Sequence, residues 1–227
     1  MKLAKDVKKL HGERVMVNSD GWNLVGDFLF PSDKDSLPVV LMLNEAAGNR
    51  MVYKELAKEL AKRGVASLRV DLRGHGESTN LGKFISGEVP QSPLIWDSEI
   101  DVISLHKYLK THTLIDNQRI AILGSSYSGE EMAEAGRIYG YANAYVVISP
   151  GSFSEESITG IDASNVPWFF IAANDEKYLQ EITTEVYEKS KSVELLVVPG
   201  SKHASNLLID DKNLTEIIAV WLSHNLK

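Results

Sequence analysis

Ile120-Ala121-Ile122-Leu123-Gly124-Ser125-Ser126-Tyr127-Ser128-Gly129 is the stretch on which the fold turns. Its first four residues are apolar and include β-branched members, the composition of a strand buried on both faces. A Gly/Ser cluster then interrupts it, and Glu130 to Tyr139 follows with helix-forming residues and no Pro. Strand, sharp turn and helix is the setting in which a serine hydroxyl is held at the tip of a strained turn as a nucleophile. Such a turn brings strand and helix together, so the residues two before and two after the nucleophile must be small. Ser126 has Gly124 and Ser128 at those places, whereas Ser125 would have Leu123 and Tyr127, and Ser128 would have Ser126 and Glu130. Ser126 is the candidate nucleophile. An ordinary strand-to-helix turn uses the same residue types, and Ser128 departs from Gly-x-Ser-x-Gly, so the rest of the chain has to decide.

Working outward, strand-like and helix-like segments alternate. Arg14 to Asn18 and Trp22 to Phe30 are extended runs joined by Ser19-Asp20-Gly21, a strong hairpin signal. A polar turn spans Ser32 to Ser36, and Val39 to Leu43 is an apolar strand followed by the small-residue loop Asn44 to Arg50. Met51 to Arg63 carries Tyr53, Leu56, Ala57, Leu60 and Ala61 at helical spacing, with Gly64 as the stop. Val65 to Val70 is a strand, Asp71 to Pro93 a long loop, Asp97 to Thr111 a helix, and Arg119 to Gly124 the central strand. Ser128 to Tyr139 is a helix and Ala144 to Ser149 a strand, after which a Ser-rich connection runs to Asn165 without regular structure. Trp168 to Ala173, Tyr178 to Ser190, Glu194 to Val198 and Asn213 to Leu222 read as strand, helix, strand and helix, and Met1 to Leu10 as a short helix or frayed arm. This alternation implies βαβ units, a mostly parallel sheet of about eight strands covered on both sides, and an antiparallel hairpin at one edge. No repeat or linker divides residues 1–227, so one domain is expected.

Composition narrows the chemistry. The chain has 227 residues, 44% of them hydrophobic and 24% charged, with a net charge of −7. An acidic balance argues against a nucleic-acid partner, which requires a basic face. The absence of Cys excludes disulfides, thiolate nucleophiles and Cys-based metal sites. No run approaches the length of a membrane span, and the Lys-rich N-terminus lacks the apolar core of a signal peptide. A cytoplasmic location with no membrane partner is the default expectation, and oligomeric state is not legible.

A serine hydroxyl attacks only when a base takes its proton and a third group orients that base. In an open α/β sheet such groups belong on loops at the carboxyl ends of strands. His203 follows the strand ending at Val198, and Asp175 and Glu176 follow the strand ending at Ala173. The order Ser, then Asp or Glu, then His is that of one particular fold. Residue type, beside Asn174, favours Asp175. Asp175 is taken as the acid, with Glu176 the alternative. Either is also an ordinary carboxylate at a helix start. His11, His106, His112 and His224 are read as solvated surface residues.

From Glu13 to Leu226 the chain resembles the α/β-hydrolase family, and small dienelactone-hydrolase-like carboxylesterases in particular. The resemblance rests on the serine turn, on Asp71-Leu72-Arg73-Gly74-His75-Gly76-Glu77-Ser78, and on Val198-Pro199-Gly200-Ser201-Lys202-His203. It implies a three-layer fold, a structural role for His75, and a catalytic triad working without metal or organic cofactor. The connection after Ser149 is too short for a large cap domain. The implied activity is hydrolysis of esters of small substrates through an acyl-enzyme, with amide or thioester hydrolysis as variants and a non-catalytic binding protein as the contrasting possibility. Two backbone N–H groups must face the oxyanion, and Tyr127 and Ala46 are the expected donors. The family's His-Gly pair before that donor is replaced here by Asn44-Glu45. Glu45 is expected to face solvent, because an inward carboxylate would oppose the oxyanion. A carboxylate that attracts a cationic substrate group is the other reading.

Overall fold

The computed structural model describes residues 10–31, 35–87 and 92–227. The proposed N-terminal arm at 1–9 and most of the polar turn at 32–34 lie outside them. The first hairpin pairs β1 (His11–Ser19) with β2 (Trp22–Phe30) from Ser19↔Trp22 onward, leaving Asp20-Gly21 as a two-residue loop. Both loop residues have positive φ, 48° and 83°, the backbone that matches the twist of a tight hairpin.

The remaining strands are β3 (Leu37–Leu43), β4 (Ala66–Val70), β5 (Ile115–Ser125), β6 (Ala144–Ile148), β7 (Trp168–Ala173) and β8 (Val193–Val198). Their order in the sheet is β1-β2-β4-β3-β5-β6-β7-β8, parallel from β4 to β8. The pleat sends successive side chains to opposite faces. Val39, Leu41 and Leu43 therefore enter one core, and Val40 and Met42 the other. The first core is covered by α3 (Glu99–Thr111), α4 (Ser128–Tyr139), α5 (Glu155–Ser164) and α6 (Lys177–Lys189), the second by α1 (Lys54–Lys62) and α8 (Lys212–Asn225). α8 starts where Asp211 accepts hydrogen bonds from Asn213 N and Leu214 N, and it buries Leu214, Ile218 and Leu222. Two short helices, α2 (Pro93–Trp96) and α7 (Asn206–Asp210), complete the set. No helix among the described residues is long and apolar enough to cross a membrane.

Three features differ from the sequence reading. The Ser-rich connection contains α5, started by Ser154, whose hydroxyl accepts from Ser157 N, and stopped by Asn165 at φ 52°. Its polar face hid a stripe of only Ser157, Ile158 and Ile161. α2, a single turn after the capping Ser92, fills the gap between the expected long loop and the helix expected from Asp97. His106 is buried, 4% exposed, against the edge of Tyr139, and burial pushes its pKa down to about 4.

The direction in which successive strands are added to the sheet reverses between β3 and β5. From β3 the chain crosses to β4 on one side, and β5 to β8 follow on the other. The crevice at the carboxyl ends of these two strands is where an open α/β sheet accepts ligands. The loop after β4 is tied down beside it. Asp71, fully buried, accepts from Arg50 N at 2.6 Å and Glu77 N at 2.9 Å and pairs with the Arg50 guanidinium, which also meets Asp27 at 2.8 Å and Glu77 at 2.5 Å. Gly76 cannot be replaced there, because a Cβ would lie 2.1 Å from Asp71 Oδ2 and its φ is +49°. Arg50→Ala strands buried Asp71 without its cation, so a loss of about 3–5 kcal/mol in urea unfolding is expected. A loss below about 1 kcal/mol would mean that the pair is dispensable.

Candidate active site

β5 delivers the serine turn. Ser126 has φ 56°, a left-handed conformation that costs a non-glycine residue energy and is held by its surroundings. Ser126 N donates to Ile148 O at 3.0 Å, and Gly151 N donates to Ser126 O at 3.2 Å. A Cβ on Gly124 would come 2.7 Å from Ser128 Oγ, so the small residue before the turn is required. The Ser128 hydroxyl explains the departure from a second glycine. It accepts from Ser125 N at 2.8 Å and donates to Ser125 O at 2.8 Å, closing the turn from inside. Ser126 alone of the three serines stands at the tip.

The histidine loop follows β8. His203 Nδ1–H donates to Glu176 Oε1 at 2.8 Å, and Ser149 Oγ donates to Glu176 Oε2 at 3.0 Å. An ionised carboxylate only accepts, which fixes the imidazole tautomer with its proton on Nδ1 and a lone pair on Nε2. The partner is therefore Glu176, and the expected Asp175 is corrected on geometry. Asp175 is exposed, and its N–H is spent on Gly200 O at 3.0 Å. The turn in which Glu176 N donates to Ala173 O carries the second carboxylate back over the sheet end. Glu176 is 10% exposed at its side chain and His203 41%. No hydrogen bond joins His203 to Ser126 here; catalytic contacts of this kind commonly tighten only with substrate bound.

Glu45 also departs from expectation: its side chain turns inward. Oε2 accepts from Ser125 Oγ at 2.9 Å and Oε1 from Ser205 Oγ at 2.5 Å. No local signal around Glu45 announces this, because its two partners are 80 and 160 residues away. Ala46 is half-buried on the same loop and Tyr127 opens the helix after Ser126, so both expected oxyanion donors lie at the ends of neighbouring strands. His75 stacks between Phe84 and Tyr127 at 4.9 and 5.9 Å and donates from Nδ1 to Arg73 O at 2.8 Å. It packs behind the turn, and burial pushes its pKa down.

Beside Ser126 opens a cavity of about 150 Å³ lined by Ile95, Trp96, Tyr127, Glu130, Glu131 and Gly151. Larger grooves elsewhere, such as one of about 510 Å³ against Leu56 and Ile209, touch none of Ser126, Glu176 or His203. Glu131 is 2% exposed; burial, then Glu99, Glu130 and Glu134 around it, push its carboxyl up to about 9. The folded protein thus keeps a proton that the unfolded chain releases above about 4.5. Glu131 costs nothing below that pH and progressively more up to pH 9. Glu131→Gln should raise Tm relative to wild type at pH 8.5 and have little effect at pH 4.5, as thermal melts at both pH values would show.

An oriented histidine, a buried carboxylate and a strained serine at one sheet end, in this strand order, define a hydrolase of the α/β-hydrolase class. Residues 20–135, just over half of the chain, match the family model described as X-Pro dipeptidyl-peptidase (S15 family), and the chain belongs to that family. A Bradyrhizobium protein described as a probable 2-oxo-3-(5-oxofuran-2-ylidene)propanoate lactonase is 23% identical over 204 residues, covering 84% of this chain and 82% of that protein. Among solved structures, dienelactone hydrolase from Anabaena variabilis superposes with TM-score 0.71 at 15% identity, covering 96% of this chain and 99% of that one. A Thermoplasma acidophilum protein described as a predicted CIB-like hydrolase gives TM-score 0.76 at 12% identity, covering 95% of this chain and 100% of that one. These structural likenesses concern the fold.

Proposed function

We propose that the protein is a serine hydrolase of ester bonds in small substrates, acting through an acyl-enzyme. The observation that carries this reading is His203 held by Glu176 at the same sheet end as the strained Ser126. Ser126 Oγ attacks the ester carbonyl as His203 Nε2 takes its proton. Glu176 keeps the Nδ1 proton in place and stabilises the imidazolium. The Tyr127 and Ala46 N–H groups meet the oxyanion. His203 then protonates the leaving alcohol, and a water activated by the same imidazole releases the acid. The chemistry is carried by side chains and backbone alone.

The small cavity beside Ser126 favours a compact group: about 150 Å³ is the size of an engineered cavity that takes up benzene. The lactonase and dienelactone hydrolase relatives are consistent with ester substrates, including cyclic ones. The family model favours a second reading, hydrolysis of an amide after proline by the same residues. Purified protein assayed against short aryl esters, small lactones and Xaa-Pro anilides separates the two. Turnover of esters or lactones at least tenfold above the anilides is expected, and the opposite ranking would move the assignment to the peptidase.

A further inference from the structure

Glu45 joins the two segments that carry the proposed nucleophile and base without touching either group. Ser125 precedes Ser126 at the end of β5, and Ser205 stands two residues after His203. Both hydroxyls end on the Glu45 carboxylate, one on each oxygen. Tyr53 Oη lies 2.6 Å from Ser125 Oγ. Since the Ser125 proton goes to Glu45, Tyr53 donates and Ser125 accepts. Burial, with the Glu45 charge adding to it, pushes the Tyr53 phenol well up, so that proton stays in place. Tyr53 and Ser125 are 0% exposed and Ser205 is 2% exposed.

The loop on the far side needs such a hold. β5 and β8 are separated in the sheet by β6 and β7, so no shared ladder sets the distance from Ser126 to the loop carrying His203. Between His203 and Ser205, buried Ala204 has φ 56°, a backbone state that surroundings must enforce in an alanine. Glu45 reaches the loop from β3, the neighbour of β5 on its other side.

We infer that Glu45 is a positioning residue, a carboxylate strut that holds the His203 loop at its working distance from Ser126. This rests on the triad reading above. Each carboxylate oxygen already carries one hydroxyl donor, so a cationic substrate group would have to compete with the strut for it. Glu176 controls the tautomer of His203, whereas Glu45 controls where the loop stands.

The test is the rate at which a fluorophosphonate labels Ser126, counted per folded molecule. The Ser126 Oγ–P bond forms, the P–F bond breaks, fluoride leaves, and the serine proton passes to His203. Wild type, Glu45→Gln, Ser205→Ala and the double variant are compared, with Tm recorded for each. Gln keeps one acceptor oxygen and loses the other; Ala removes the loop's leg of the strut. Each single change should slow labelling about tenfold or more and lower kcat with little change in KM, because a displacement of about 1 Å can cost up to a hundredfold. The double variant should be no slower than the worse single, since both cut the same strut. Labelling of both singles at the wild-type rate would overturn the strut and leave the triad standing. So would additive losses, or a faster Glu45→Gln, which would make the carboxylate an opponent of the oxyanion. A wild type that does not label at all overturns the triad itself, a different failure.

Discussion

Ser126→Ala is expected to lower kcat by about three decades or more on every ester tested, because the acyl-enzyme can no longer form. The residual rate should come from oxyanion stabilisation and binding alone, and KM should change far less than kcat. Ser128→Ala provides the contrast. Its hydroxyl closes the turn on Ser125 through two hydrogen bonds, and the residue is fully buried. Losing them should cost about 1–3 kcal/mol of stability and leave most of the activity of folded protein. Steady-state kinetics beside urea titrations separate the two variants. A Ser128→Ala as inactive as Ser126→Ala would show that the tip of the turn has been assigned to the wrong serine.

Glu176→Gln is expected to be the second severe change, with kcat down by up to about four decades. The amide nitrogen would donate toward His203, push the imidazole into the tautomer that cannot take the serine proton, and withdraw the charge that stabilises the imidazolium. The Ser149 hydroxyl, which donates to the other oxygen of Glu176, should keep the variant folded, so the loss should be kinetic. Asp175→Asn, at an exposed carboxylate with no part in this geometry, should stay within about twofold of wild type. Measured side by side, the pair decides the acid. A larger loss in Asp175→Asn than in Glu176→Gln would return the role to the residue favoured by type.

The fold was legible because its signals are local and repeated. Apolar strands separated by capped helices, Asp-Gly at the hairpin and small residues around Ser126 each act within a few positions. The places of Ser126 and His203 at one end of the sheet were legible for the same reason, since each follows a strand whose place in the order was clear. The acid was not. Asp175 and Glu176 differ by one position, and the turn closing on Ala173 decides which carboxylate returns over the sheet. Glu45 was misjudged for a deeper reason. Its hydroxyl partners, Ser125 and Ser205, come together only when β3, β5 and the loop after β8 have assembled. Spacing could place Glu45 near the oxyanion donors but could not reveal what would share its charge. Helix α5 was missed because its cap, Ser154, lay within a run that read as loop.

The short connection between β6 and β7 also bears on the fate of the acyl-enzyme. It holds only α5, so among the described residues no separate layer closes over Ser126, and the His203 side chain stays 41% exposed. An acyl group on Ser126 would sit at a wet rim, in free exchange with bulk solvent. Any small nucleophile in solution could then compete with water for it. Added methanol or hydroxylamine should divert product in proportion to its concentration, as in an ungated site, while total acyl turnover is limited by chemistry and not by the opening of a door.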